Sequence, residues 1–407
     1  MTSALSFYRE NARWLLAGFV LAGSSSYGQT FFISLFAGEI RAEFGLTHGD
    51  WGAIYTVATL ASAATLYQAG VLVDRMPVQR LALIIVGLYA LAALGMATNP
   101  VWWMLPVLIF LLRFCGQGMM GHIAMTTMGR WFRAHRGRAV AFAGLGFSAG
   151  EAVLPTIGVL AIATFGWRGA WIAVALALLL ISGPLMAWLL ASRRQPRGLA
   201  ADSEQPGLDG RHWERREVIR HWIFWTLVPA ALTPPFVGTV MFFQQVHIAE
   251  VKGWSLETMA LGYPVYAGVT ICAALTGGAL VDRLGSLRML PVFLLPLAVG
   301  VALLGPGTTP LAWFGALALL AISQGLSQAI WGTIWPELFG TRHLGAIRSV
   351  STTAMVFATA AGPGITGLLI DAGIAFPAQT GGLALWTLLI SVVAWRAARL
   401  IETRRAA

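Results

Sequence analysis

Two charged residues stand where the sequence is otherwise hydrocarbon: Arg113 in LLRFCGQGM and Glu151 in FSAGEAVLP. If their two apolar runs form antiparallel helices, Arg113 lies about 16 Å from the outer end of one and Glu151 about 19 Å from the inner end of the other, at 1.5 Å per residue. In an apolar layer roughly 30 Å thick those depths differ by only about 5 Å, close enough for the two side chains to pair. Ionisable groups at such depth are costly and mark functional sites. Arg113 is therefore the candidate anion-binding residue. Glu151 is the candidate proton carrier, because the protonation of a poorly solvated carboxylate depends on whether a cation stands beside it. A purely structural ion pair is the alternative reading, although burying charge is a poor way to gain stability.

Amides supply the rest of a candidate lining. Gln117 lies one helical turn from Arg113 and can share its face. Gln29 in the first apolar run, Gln244 or its neighbour Gln245 in the seventh, and Gln324 and Gln328 in the tenth would be left unpaired by lipid. Trp331 and Trp335 continue the tenth-run stripe at helical spacing, and Trp335, near the inner end, reads as an interface anchor. His122 follows Arg113 by nine residues and so leaves the opposite face of the helix, as a packing histidine. Gly144, Gly146, Ser148 and Gly150 are small enough for another helix to approach closely, above all at Gly146-x-x-x-Gly150. Gly116-x-Gly118 and Gly144-x-Gly146 lie inside apolar runs, without the strand and turn of a dinucleotide loop, and no Gly-rich lysine loop occurs. Cys115 and Cys272 are isolated in apolar runs, so neither a disulfide framework nor a metal cluster is indicated. The expectation is a protein that is not an enzyme, needs no cofactor or metal, and works on gradients.

The elements that must hold these residues follow from composition. Of 407 residues 57% are hydrophobic and 11% charged, against roughly 25% charged in a soluble protein, which makes this a membrane protein. Twelve apolar runs fall at about 12–36, 50–70, 81–98, 102–128, 139–163, 169–191, 222–246, 257–280, 289–305, 311–335, 347–370 and 378–399, each near the length a helix needs to cross a bilayer. The first is too long for a signal-peptide core and is read as a retained span. Net charge is +10, but only Arg41, Arg168 and Lys252 fall in segments placed outside. Apart from Arg113 at mid-depth, the other basic residues fall inside, which puts both termini in the cytoplasm. The basic charge is topology, and no nucleic-acid partner is indicated. The polar stretch 193–221, rich in Pro, Gly and charge, divides the chain into bundles at 1–192 and 222–407 and reads as a cytoplasmic linker. It is too short and polar to bury a core, although Arg211 to His221 has the makings of a surface helix.

The two halves repeat. GVLVDRMPVQR, Gly70 to Arg80, and GALVDRLGSLR, Gly278 to Arg288, agree at six of eleven positions at an offset of 208 residues, and the same offset pairs Tyr55 with Tyr263. Repeated halves with a site between them are the architecture of many secondary transporters. The pattern G-x-L-x-D-R-x-G-x-x-R after the second and eighth runs resembles the signature loop of the major facilitator superfamily, with Pro77 standing where Gly is usual. That resemblance implies an all-α membrane fold of twelve helices in two pseudo-symmetric six-helix bundles. It also implies gating roles for Asp74, Arg75, Asp282 and Arg283, whose counterparts contact neighbouring helix ends. WFRAHRGRAVAFAGLGFSAG, Trp131 to Gly150, is similar to the monocarboxylate-porter and oxalate/formate branch.

The expected function is secondary active transport of a small organic anion, a carboxylate, coupled to protons, by a monomer in the inner (plasma) membrane. Its partners are then the substrate, protons and the lipid bilayer. Two alternatives are a proton-coupled antiporter that exports amphiphilic compounds and a non-transporting membrane sensor.

Overall fold

The computed structural model describes residues 4–132, 135–191 and 205–406, and the described residues are almost wholly helical, with no strand among them. Among the described residues nine helices are long and apolar enough to cross a membrane. One of them, Gly137–Leu189, holds both the fifth and sixth apolar runs and turns back at Gly166, whose φ of 69° breaks the helical path. The ninth run is helical only over Leu295–Leu304, and the first is interrupted at mid-length. The chain clusters into two compact units, Met1–Ala201 and Asp202–Ala407.

In the first unit, Ala4–Ser24 runs along the helix that begins at Arg136. Their contact is built on the glycines singled out above. A Cβ on Gly146 would overlap the Phe19 carbonyl, and one on Gly150 would overlap Ser26 Oγ. Gly146-x-x-x-Gly150 is thus a packing surface, which places its neighbour Glu151 beside the first segment. At the far end, Gly45 in the left-handed region (φ 65°) stops Ala37–Phe44, and Thr47 and Asp50 form a reciprocal capping box that starts His48–Ala69. Such a cap is worth about 1 kcal/mol.

The second unit packs Gly262–Leu284 against Leu311–Phe339 through small residues: a Cβ on Gly325 would press on Ala273 and on the backbone of Thr270 and Ala274. Residues 193–204 of the expected linker lie outside the described residues. From Gln205 onward it does not stand free of the bundle: Gln205 and Thr341 exchange backbone and hydroxyl hydrogen bonds, and the Trp213 amide donates to the Phe339 carbonyl. Leu208, Trp213 and Val218 are buried there. These residues cannot form a core by themselves, and they complete one on the ends of other helices. The surface helix expected near Arg211 to His221 is Arg215–Arg220.

Candidate functional site

The first segment breaks where the sequence reads SSSYGQT. Serines compete for backbone partners and weaken a helix interior. Ser25 Oγ donates to the Ala22 carbonyl at 2.6 Å, Ser25–Gly28 tighten into a 3-10 turn, and Gln29 is extended (φ −82°, ψ 157°) before a new helix starts at Thr30. The amides of Phe32 and Ile33 both bond the Gln29 carbonyl, so the Gly28 carbonyl is left out of the helical ladder. Opposite this break the fourth segment widens into a π-helix, Phe114–Met120, directly after Arg113. Gly28 and Gly116 meet there with the Tyr89 hydroxyl: a Cβ on Gly28 would overlap the Leu112 carbonyl, and one on Gly116 would overlap the Tyr89 hydroxyl and the Gly28 backbone. π-turns of this kind are frequent at functional sites.

Arg113, 3% exposed, reaches into this junction. Its Nη1 donates to the Gly28 carbonyl at 3.0 Å and lies 3.5 Å from Thr30 Oγ1, and the guanidinium carbon stands 5.2 Å from the centre of the Tyr55 ring. Tyr55, fully buried, donates from its hydroxyl to Thr30 Oγ1 at 2.8 Å. Arg113 Nε is buried without a partner, and Nη2 makes no hydrogen bond to any described residue. One nitrogen anchors the group, and the Nε–Nη2 edge is uncommitted.

The ion pair expected between Arg113 and Glu151 is not formed: among the described residues no carboxylate pairs with Arg113. A depth estimate fixes height along a helix and not the direction in which a side chain leaves it. Here the Gly28 carbonyl offers an acceptor at that height. Glu151 is half-buried and has no cationic partner among the described residues. Both residues nevertheless border the same break, Glu151 through its neighbour Gly150 against Ser26, and Arg113 through Gly28.

The amides divide into two groups. Gln244 is buried and donates to Thr366 Oγ1 at 2.9 Å, and Gln245 is buried and accepts from the Tyr263 hydroxyl at 2.8 Å. Gln29 and Gln324 are half-buried, and Gln117 and Gln328 are exposed, so Gln117 does not share the buried setting of Arg113. Trp335 is not an interface anchor: it is 3% exposed, stacked on Trp331 and Phe339 and packed on Phe224. His122 Nε2 lies 3.2 Å from the Gly70 carbonyl and ties the fourth segment to the start of the first signature loop, as a packing histidine would. In that loop Asp74 accepts from Arg130 at 2.8 Å, whereas Asp282 in the second loop is exposed and without an ion-pair partner among the described residues. Arg75 and Arg283 are exposed.

Residue-by-residue reading of the sequence missed Gly28, Thr30 and Tyr89, and gave Tyr55 no role beyond the repeat. The run of serines before Gly28 was the available signal.

A family model described as Major Facilitator Superfamily matches residues 18–363. The chain belongs to the major facilitator superfamily. The oxalate:formate antiporter of Oxalobacter formigenes is 25% identical over 348 residues, covering 82% of this chain and 79% of that one. Two solved structures of a bacterial homolog to the human lysosomal transporter Spinster resemble it in fold. The inward-facing, unoccupied form has a TM-score of 0.74 at 15% identity, covering 96% of this chain and 97% of that one. The occupied form has a TM-score of 0.71 at 16% identity, covering 98% and 97%. The chain is thus a multi-pass membrane transporter with the major facilitator fold, and not an enzyme.

Proposed function

We propose that this major facilitator transporter moves a small organic anion, a carboxylate, together with a proton. The observation that carries the reading is the Nε–Nη2 edge of Arg113, a buried cation held by one nitrogen with no carboxylate beside it. Two parallel N–H groups match the two oxygens of a carboxylate, and an arginine, unlike a lysine, is pre-organised for that geometry. A relative that is an oxalate:formate antiporter supports the same substrate class. Glu151, beside the same break and unpaired, is the proton carrier in this reading. Gln29 and Gln117 line the path in the first unit, and Gln244, Gln324 and Gln328 in the second. Asp74, Arg75, Asp282 and Arg283 belong to gating, with the Asp74–Arg130 pair a contact that can break and re-form as conformations exchange. In this reading the protein works as a monomer in the inner (plasma) membrane, and the bias of basic residues toward one side of the apolar runs supports cytoplasmic termini.

Export of amphiphilic compounds draws on the Trp331 and Trp335 stripe, and the enclosure of Trp335 weakens it. The test is uptake of labelled oxalate and formate into proteoliposomes, by exchange and with an imposed pH gradient. Arg113→Ala should abolish both. Glu151→Gln should keep exchange and lose accumulation driven by the gradient. Uptake of neither anion by the wild-type protein would overturn the reading.

A further inference from the structure

We propose that the second unit holds an anionic glycerophospholipid, with an acyl chain in the groove between Trp222–Phe243 and Phe376–Ala406 and the phosphodiester on arginines at one end of that groove. The groove is a cavity of about 440 Å³. Pro229, Leu232 and Phe236 of the first helix and Leu383 and Trp386 of the second form its walls, and Ala358 of Leu344–Asp371 completes it. The one hydroxyl in its wall, Thr233, already donates to the Pro229 carbonyl at 2.8 Å, so the groove suits a hydrocarbon chain. On the first helix this wall runs on toward His221: Trp222, Trp225, Pro229, Leu232 and Phe236 recur at helical spacing on one face, and both tryptophans are exposed.

Positive charge gathers at the same end. Arg404 meets His221 at 3.3 Å and Asp209 at 3.0 Å, which sets the start of one helix beside the end of the other. The carboxylates there are engaged, Asp209 with Arg404, Glu217 with Arg211 at 3.1 Å and Glu402 with Arg288 at 3.6 Å, while Glu214 caps Arg215–Arg220. Arg220 and Arg396 are exposed and have no partner among the described residues, and the same holds for Arg215, Arg216 and Arg399. The spacing fits one leaflet. Arg396 follows Trp386 by ten residues and Trp222 precedes Leu232 by ten, so cation and indole both stand about 15 Å along their helices from the groove. Half of a hydrocarbon core roughly 30 Å thick has that length. Exposed tryptophans at that height mark the headgroup level, and an unpaired guanidinium there offers a phosphodiester two donors. A free phosphate or carboxylate has no chain for the groove, and a zwitterionic lipid brings no net charge to the excess arginines.

The test measures lipid binding to the full-length protein in detergent by native mass spectrometry, with phosphatidylglycerol and phosphatidylcholine of the same chains as probes. Phosphatidylglycerol should bind roughly tenfold or more tighter, since each arginine near a headgroup contributes about fivefold. Replacing both cations, Arg220→Gln with Arg396→Gln, should remove most of that preference and leave phosphatidylcholine binding unchanged. Ala358→Leu, which fills the groove, should weaken both lipids several-fold. If Ala358→Leu fails to fold, short-chain phosphatidylglycerol asks the same question of the wild-type protein, and it should bind far more weakly than the long-chain form. Glycerol phosphate, the headgroup without chains, should not displace the lipid, and full displacement would mean an anion site in which the groove has no part. That result would overturn the proposal, as would equal binding of the two lipids by the wild-type protein or an undiminished preference in the double variant.

Discussion

At an offset of 208 residues the two units repeat one turn almost angle for angle and differ in what they enclose. Gly45 and Gly253 close helices at φ 65° and 66°, and Thr47 and Ser255 then accept from the amide three residues on. Tyr55 and Tyr263 are both fully buried, each with its hydroxyl bonded to a residue of the preceding segment, Thr30 in one unit and Gln245 in the other. The position matching Arg113 is Ala321, also fully buried. The scaffold is duplicated and the charge is not. A cation in one copy needs acceptors, and the broken first segment with its stray carbonyl provides them. In the neutral copy Gln244 bonds Thr366 and Gln245 bonds Tyr263.

The largest effect should come from Arg113, where the asymmetry resides. Arg113→Lys keeps the charge but loses the paired N–H edge, and should lower carboxylate exchange by at least about 100-fold, in line with a charge-assisted bond worth several kcal/mol. Gln379→Leu removes a buried amide outside the proposed lining, already donating to the Thr366 and Ile374 carbonyls, and should leave exchange within a few-fold. Comparable losses in both variants would mean that burial, and not an uncommitted edge, marks the site.

Next comes the place where the repeat bends differently. Pro77 has φ −57°, while its counterpart Gly285 has φ 86° and donates its amide to the Val281 carbonyl at 2.9 Å. Proline cannot reach that angle and has no amide to donate, so Gly285→Pro should cost about 3 kcal/mol or more, read as a fall in melting temperature or folded yield in detergent. Pro77→Gly only loosens the unfolded chain and should cost about 0.4 to 1 kcal/mol. A symmetric response would show that the two loops are interchangeable after all.

The charges in those loops should matter less for stability than for turnover. The Asp74–Arg130 pair is largely exposed on both sides, 63% and 48%, so its contribution to folding is small, on the order of 0 to 1 kcal/mol. Asp74→Asn should nevertheless slow exchange several-fold at an unchanged melting temperature, and Asp282→Asn, which breaks no ion pair here, should slow it less. Equal slowing would assign both loops the same part in gating.

The architecture was legible because lipid enforces long apolar runs, and the turn at Gly166 falls between the runs read as 139–163 and 169–191. The packing face at Gly146 and Gly150 was legible for a similar reason, since small residues four apart have one common use. The partner of Arg113 was not legible. It is a backbone carbonyl freed by a break 85 residues earlier, and side-chain chemistry does not announce a stray carbonyl. Trp335 misled because a tryptophan near a helix end reads the same whether it meets headgroups or Phe224 and Phe339. The docking of residues 205–221 was hidden because its three buried side chains are sheltered by helix ends distant in sequence.

That docked stretch gives the smallest predicted effect, and it sharpens the comparison because the first unit has no described counterpart. His221 caps Trp222–Phe243 by accepting from the Ile223 amide at 3.3 Å, and its other nitrogen lies 3.3 Å from Arg404 Nη1. Around it stand Trp213, whose ring centre is 4.8 Å away, together with Trp222, Arg211 and Asp209. Burial, then the positive charge of Arg404, hold its pKa below the usual 6.5, outweighing Asp209. Between the lowered folded value and 6.5 the unfolded form binds more protons, so stability rises with pH through that window and is lost as pH falls through it. Hydrogen exchange at the Trp213 amide, bonded to Phe339, should therefore quicken modestly between pH 7.5 and 5.5. In His221→Gln, which cannot gain a proton, the extra quickening should disappear after correction for the intrinsic pH dependence of exchange. If it persists undiminished, the sensitivity belongs to some other group and His221 is only a cap.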